Sequence, residues 1–214
     1  MSRSRIAALG SFAALLLALG CGPTDVSYDP GYAHNAPPPG SGDRPEAPPW
    51  EHEDVIALGE AGMSIHLGDA PPALAGAYLT NSTEIYYDDL GHERDIADDY
   101  VFEFSAQTED GAIRVSYSSE AARDSAQGLV GLITGEGDCF TVFVMNVQGV
   151  YDGCRYQTIF LYSGCVDGDG VLDWQNGVIM ADKEGETCGV LMDVGHRRII
   201  HEEDGLASAV VPSA

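Results

Sequence analysis

From residue 76 to residue 202, short apolar runs alternate with clusters of glycine and aspartate, and this alternation constrains the fold more than anything else in the chain. The runs are 76–80, 84–89, 99–105, 112–118, 128–134, 139–147, 155–163, 177–182, 188–194 and 197–202. Two alternate with the period of a strand that has one dry face. Tyr100, Phe102 and Phe104 oppose Glu103, and Ile113, Val115 and Tyr117 oppose Arg114 and Ser116. Others, such as Phe140 to Val144 and Ile159 to Tyr162, are apolar on both faces. Those strands must be central in a sheet or covered by a second layer. The separators include Asp88-Asp89-Leu90-Gly91, Glu109-Asp110-Gly111, Gly135-Glu136-Gly137-Asp138, Asp167 to Gly170 and Glu184-Gly185-Glu186. Glycine reaches positive φ without a steric penalty and aspartate bonds to nearby amides, so these are turns. No long 3.6-residue pattern follows residue 50, and the sequence predicts a single short helix, over Glu120 to Gln127.

Short links join antiparallel neighbours, so the domain over 51–214 reads as an all-β antiparallel meander. A meander of this length closes best as a small barrel, because closure removes the exposed edges. The expected form is an up-and-down barrel of calycin type, and the alternative is a two-sheet β-sandwich. Besides Cys21, the chain has Cys139, Cys154, Cys165 and Cys188. An even number without a close zinc-type pair reads as two disulfides. If 139–147 pairs with 155–163, Cys139 comes beside Cys165. If 155–163 then pairs with 177–182, Cys154 approaches the segment holding Cys188. The predicted bridges are therefore Cys139–Cys165 and Cys154–Cys188.

The chain opens with Arg3 and Arg5, then an apolar run from Ile6 to Leu19, then Gly20-Cys21. The run is too short for a membrane-spanning helix, which needs about twenty residues, and its flanks fit a cleaved signal peptide over 1–20. The ending Leu-Ala-Leu-Gly-Cys resembles the lipobox of bacterial lipoprotein precursors. The resemblance implies a diacylglyceryl group on the Cys21 thiol, cleavage before it, and acylation of the new amino end with chains such as palmitate. It also implies, with Gly22 next, an extracytoplasmic protein anchored in the outer membrane of a diderm bacterium. Each buried methylene contributes about 0.8 kcal/mol, so two or three chains would hold durably. The segment 21–50 then reads as a disordered tether, since residues 22–50 hold eight of the eleven prolines, Pro37-Pro38-Pro39 among them.

Charge narrows the partners. The chain carries 34 acidic and 10 basic residues, a net charge of −24. Loss of the leader removes Arg3 and Arg5 and no acid, leaving −26. Such a surface repels nucleic acid. It suits a solvated exterior, one that collects divalent cations, or one that meets a basic partner.

The best chemical motif is Asp167-Gly168-Asp169-Gly170-Val171-Leu172-Asp173, which resembles part of a calcium loop. The pattern is incomplete: with Asp167 and Asp169 as its third and fifth positions, Cys165 stands first and Asn176 twelfth. The plainer reading is an acidic hairpin turn, with Ca²⁺ through Asp167, Asp169 and Asp173 as the alternative. The histidines His34, His52, His66, His92, His196 and His201 form no zinc-helix pattern. No nucleophile elbow, phosphate loop or dinucleotide fingerprint occurs. The expected function is a non-catalytic structural or interaction role in the envelope, with no cofactor. A carrier of a small apolar ligand comes next, and an enzyme acting on envelope polymers third.

Overall fold

The computed structural model describes residues 48–121, 124–151 and 153–210. The predicted leader, Cys21 and most of the proline-rich stretch lie outside these residues. Among the described residues, eleven strands form one sheet: β1 (Asp69–Ala70), β2 (Gly76–Thr80), β3 (Thr83–Asp88), β4 (Tyr100–Ser105), β5 (Ala112–Ser119), β6 (Asp124–Glu136), β7 (Cys139–Tyr151), β8 (Cys154–Asp167), β9 (Gly170–Glu184), β10 (Arg197–Glu202) and β11 (Leu206–Val210).

Eight of them close a ring in the order β2-β4-β5-β6-β7-β8-β9-β11, with β11 pairing both β9 and β2. The pairs are antiparallel throughout. The fold is thus the expected meander barrel and not the sandwich. Two strands leave the ring: β10 pairs with β9 on one side and β3 on the other. The ring and this outlying pair share β9. Its residues Gly170 to Leu172 face β11, and Gln175 to Ile179 face β10. Strand β1 runs parallel to β6 at the opposite flank.

The inward positions build one core. It includes Tyr78, Phe102, Phe104, Ile113, Val115, Ile133, Phe140, Val142, Val144, Phe160, Tyr162, Val171, Trp174, Val178 and Ala207. Phe102 lies 5.1 Å from Trp174 and 5.2 Å from Tyr162, and Phe104 lies 5.8 Å from Tyr162, centroid to centroid. Tilted and edge-on contacts at this spacing suit the ring quadrupoles, and each pair adds about 0.5–1.5 kcal/mol to its area term. A bulge in β9, with Asp173 at φ 51°, interrupts the register opposite Ser163 and Cys165 and precedes the buried Trp174.

The strands that read as apolar on both faces are covered outside as well. Phe143, Ile159, Leu161, Ile179 and Ile199 point away from the ring and pack with Val55, Leu58 and Met63. Val55 and Leu58 belong to helix α1 (Glu53–Glu60). Its N-cap is His52, whose Nδ1 accepts from the Asp54 amide at 3.4 Å, and Glu53 and Asp54 in the first turn complement the helix dipole. The helix sits close because β9 offers Gly177 beneath it. A Cβ there would lie 2.6 Å from Met63 Sδ and 3.0 Å from Leu58 Cδ1.

Several expectations need correction. The helix predicted over Glu120 to Gln127 is strand from Asp124 onward, since pairing with β5 outweighs local helical preference. Residues 122–123 lie outside the described set. The strand predicted over 188–194 is a 3₁₀ turn, Cys188–Val190, followed by irregular chain. Tied by its cysteine, this segment folds over β9 as a lid, with Leu191 and Met192 buried against Met180. Strand β9 begins at Gly170, seven residues before the expected start at 177, while α1, β1 and β11 were not expected. Both predicted disulfides are present, Cys139–Cys165 and Cys154–Cys188. Among the described residues no helix is long and apolar enough to cross a membrane.

Candidate functional site

The chain leaving α1 crosses the outer wall of the barrel as a strap, and polar side chains from four successive strands hold it. Gln175 Oε1 on β9 accepts from the Ser64 amide at 2.7 Å, and Ser163 Oγ on β8 donates to the Ser64 carbonyl at 2.6 Å. Thr141 Oγ1 on β7 accepts from the His66 amide at 2.8 Å, and Thr134 Oγ1 on β6 donates to the His66 carbonyl at 2.8 Å. Thr134, Thr141 and Ser163 are buried beneath the strap. An unpaired buried hydroxyl or amide would cost about 1–3 kcal/mol, so this row fixes where the strap runs.

The strap carries His66 to the Cys139–Cys165 bridge. One imidazole nitrogen and both sulfurs lie within 4.8 Å of one another, and all three residues are half-buried. Burial lowers the pKa of His66, and the Asp173 charge opposes this without reversing it. The ring is therefore held neutral at neutral pH. The other bridge has different surroundings, for Cys154 and Cys188 are buried with Met180, Leu191 and Met192.

The calcium-type motif falls on the β8–β9 hairpin. Asp167 pairs with Gly170 across a two-residue turn, and Asp167 Oδ1 accepts from the Asp169 amide at 3.3 Å. Asp173 sits on the bulge farther along β9, where its Oδ1 lies 3.8 Å from a Cβ placed on Gly205. Among the described residues, the group of three ligand-type side chains drawn within 4.8 Å is His66, Cys139 and Cys165, not the three aspartates. With its sulfurs joined, that group offers no thiolate to a metal.

A groove of about 440 Å³ opens where β1 runs along β6, lined by Trp50, Asp69, Pro71, Gln107, Glu109 and Asp110 among others. Trp50 packs on Phe143 at 6.1 Å. Gln107 braces the wall, accepting from the Leu74 amide at 2.8 Å and donating to the Pro72 carbonyl at 3.0 Å.

Charge is buried at the outlying strand pair. Arg198 Nε donates to Asp88 Oδ2 at 2.5 Å, and Asp88 Oδ1 also accepts from the Leu90 amide at 2.7 Å. Beside them Arg197 Nε meets Asp89 Oδ2 at 3.3 Å. Glu202 closes the β2–β3 turn, its two oxygens accepting from the Asn81 and Ser82 amides at 2.9 and 3.1 Å. Burial pushes its carboxyl up to about 7, the two amides oppose that, and the charges of Asp204 and Asp99 add to it.

Of the remaining histidines, His52 caps α1, and His92 and His201 stand beside Asp95 and Glu84 at 3.4 Å each. His196 lies in the turn before β10, and His34 falls outside the described residues. Sequence reasoning missed the strap and its anchors. Thr134, Thr141 and Ser163 stand inside apolar strands, and a hydroxyl at an outward position there was the available signal. No protein-family model, no curated protein and no solved structure matches this chain.

Proposed function

We propose that this protein is a lipid-anchored extracytoplasmic lipoprotein whose barrel is a solid scaffold with a structural or interaction role in the envelope. One observation carries the reading: the barrel interior is occupied by its own aromatic rings. Tyr162, Phe104 and Trp174 are each about 1% exposed and stand within ring-contact distance of one another. A carrier barrel keeps that volume for its ligand, so the working surface of this one is its exterior. The two bridges support service outside the reducing cytoplasm. The acidic composition, with net charge −24, favours a basic or cation-bridged partner over nucleic acid. In this reading Cys21 bears the acyl chains, and the proline-rich stretch to residue 50 lifts the barrel from the outer membrane.

Two measurements test the proposal. Intact-mass analysis of detergent-extracted protein is expected to find a chain starting at an acylated Cys21, and an unmodified Cys21 overturns the anchor. A fluorescent fatty-acid probe is expected to stay unbound at micromolar protein, and stoichiometric, displaceable binding overturns the solid scaffold in favour of a carrier.

A further inference from the structure

The two disulfides lie in opposite environments, and that contrast points to chemistry at one of them. Cys154–Cys188 is sealed in an apolar pocket of methionines and Leu191. Cys139–Cys165 lies on the outer wall with both cysteines half-buried, and the strap holds the His66 imidazole against it. The strap is held through the backbone of Ser64 and His66, leaving the imidazole without a part in those bonds.

We propose that Cys139–Cys165 is a thiol–disulfide exchange site, with His66 as its proton relay and neutral or cationic thiols as its preferred substrates. A thiol RSH gives its proton to the His66 nitrogen as its sulfur attacks one sulfur of the bridge. The Cys–Cys bond breaks, a mixed disulfide with R forms, and the released cysteine thiolate takes the proton back from the imidazolium. A second RSH attacks the mixed disulfide. It leaves RSSR and two cysteine thiols, the two electrons and two protons having come from the two RSH molecules. A relay must begin as a base, and the burial of His66 keeps it neutral at neutral pH.

The substrate preference follows from charge. Asp138 and Asp167 flank the bridge in sequence and are exposed, and the field of Asp173 reaches His66. On a chain of net charge −24, an anionic thiol is repelled on approach and a cationic one is drawn in, over a range of about 8 Å at physiological salt. The inference is independent of whether Cys21 is acylated.

The experiment treats the full chain in detergent with cysteamine, 2-mercaptoethanol or 2-mercaptoethanesulfonate at one pH, and each rate is divided by that of the same thiol with a small uncharged disulfide, so that thiol pKa and nucleophilicity cancel. Alkylation quenching and peptide mapping then follow, with Cys21 scored separately. Cys139–Cys165 is expected to open while Cys154–Cys188 stays closed. Rates should fall from cysteamine to 2-mercaptoethanol to 2-mercaptoethanesulfonate and converge in high salt. His66→Gln keeps the strap's backbone bonds, so its melting should match the parent. Its exchange rate should fall about tenfold, below the usual contribution of a general base, and recover with imidazole in the buffer. Simultaneous opening of both bridges, equal rates for the three thiols, or an unchanged rate in His66→Gln overturns the proposal.

Discussion

The closed ring and the outlying β3–β10 pair are made of similar strands, yet different forces hold them. In the ring, inward side chains meet other apolar side chains from across the barrel, and β11 seals the last edge by pairing with both β9 and β2. The outlying pair packs on the ring core through Ile85 and Ile200 and beneath helix α1 through Ile199. Elsewhere it relies on the Arg198–Asp88 and Arg197–Asp89 pairs and on the Glu202 carboxyl group, which accepts from the Asn81 and Ser82 amides. Apolar packing is non-directional and tolerates small shifts, whereas a buried ion pair works only when both partners are in place. The ring should therefore respond to lost volume and the outlying pair to lost partners.

The largest effect is expected from Trp174→Ala. It empties the centre of the ring lattice and should cost about 4 kcal/mol in urea unfolding, within the usual range for a buried aromatic. A loss below 1 kcal/mol would mean that the interior is looser than its ring contacts imply. Next, Arg198→Met strands the Asp88 carboxylate in a dry site and should cost about 3 kcal/mol, whereas Arg198→Met with Asp88→Leu should recover most of it. If the double variant is as unstable as the single one, the pair does more than neutralise itself.

Glu202→Gln tests the same region through pH. The folded protein holds this proton more tightly than the unfolded chain, whose carboxyl titrates near 4.5. The resulting stability is complete below about pH 4.5 and is lost as pH rises through about 7, a change of about 2–3 kcal/mol from a shift of this size. The difference in stability between parent and Glu202→Gln, measured from pH 4 to 8, should trace this loss, and a flat difference contradicts it. The smallest effect is expected where the two regions share β9. Gly177→Ala pushes on Met63 and Leu58, which can shift, so a loss of about 1 kcal/mol is expected from thermal or urea melting.

The ring was readable because its signals are local. Tyr100, Phe102 and Phe104 alternate as they must on a one-sided strand, and they do face the interior. The pairing of adjacent strands was enough to place Cys139 beside Cys165 and to bring Cys154 toward Cys188. Helix α1 was not readable in the same way, for its eight residues bury only Val55 and Leu58, too few to mark a period. The candidate site was less legible still. His66 carries no motif, and it reaches the bridge only because Thr134, Thr141, Ser163 and Gln175, scattered over four strands, hold one piece of backbone. The acidic loop at Asp167 stands out in composition, but composition does not say where carboxylates converge.

By itself the sequence determined the strand-and-turn rhythm, the antiparallel meander and the Cys139–Cys165 bridge, since each depends on residues that are neighbours along the chain or on adjacent strands, whereas closure of the ring came through β11 and the Cys154–Cys188 bridge through a 3₁₀ turn. The tertiary structure alone decided that helix α1 dries the outer wall, that the interior is filled with rings, and that His66 lies on one bridge and not the other. An apolar residue records that its surroundings must be dry and a hydroxyl that it needs a partner. Neither records which distant segment will supply them, and that is settled only when the whole chain packs.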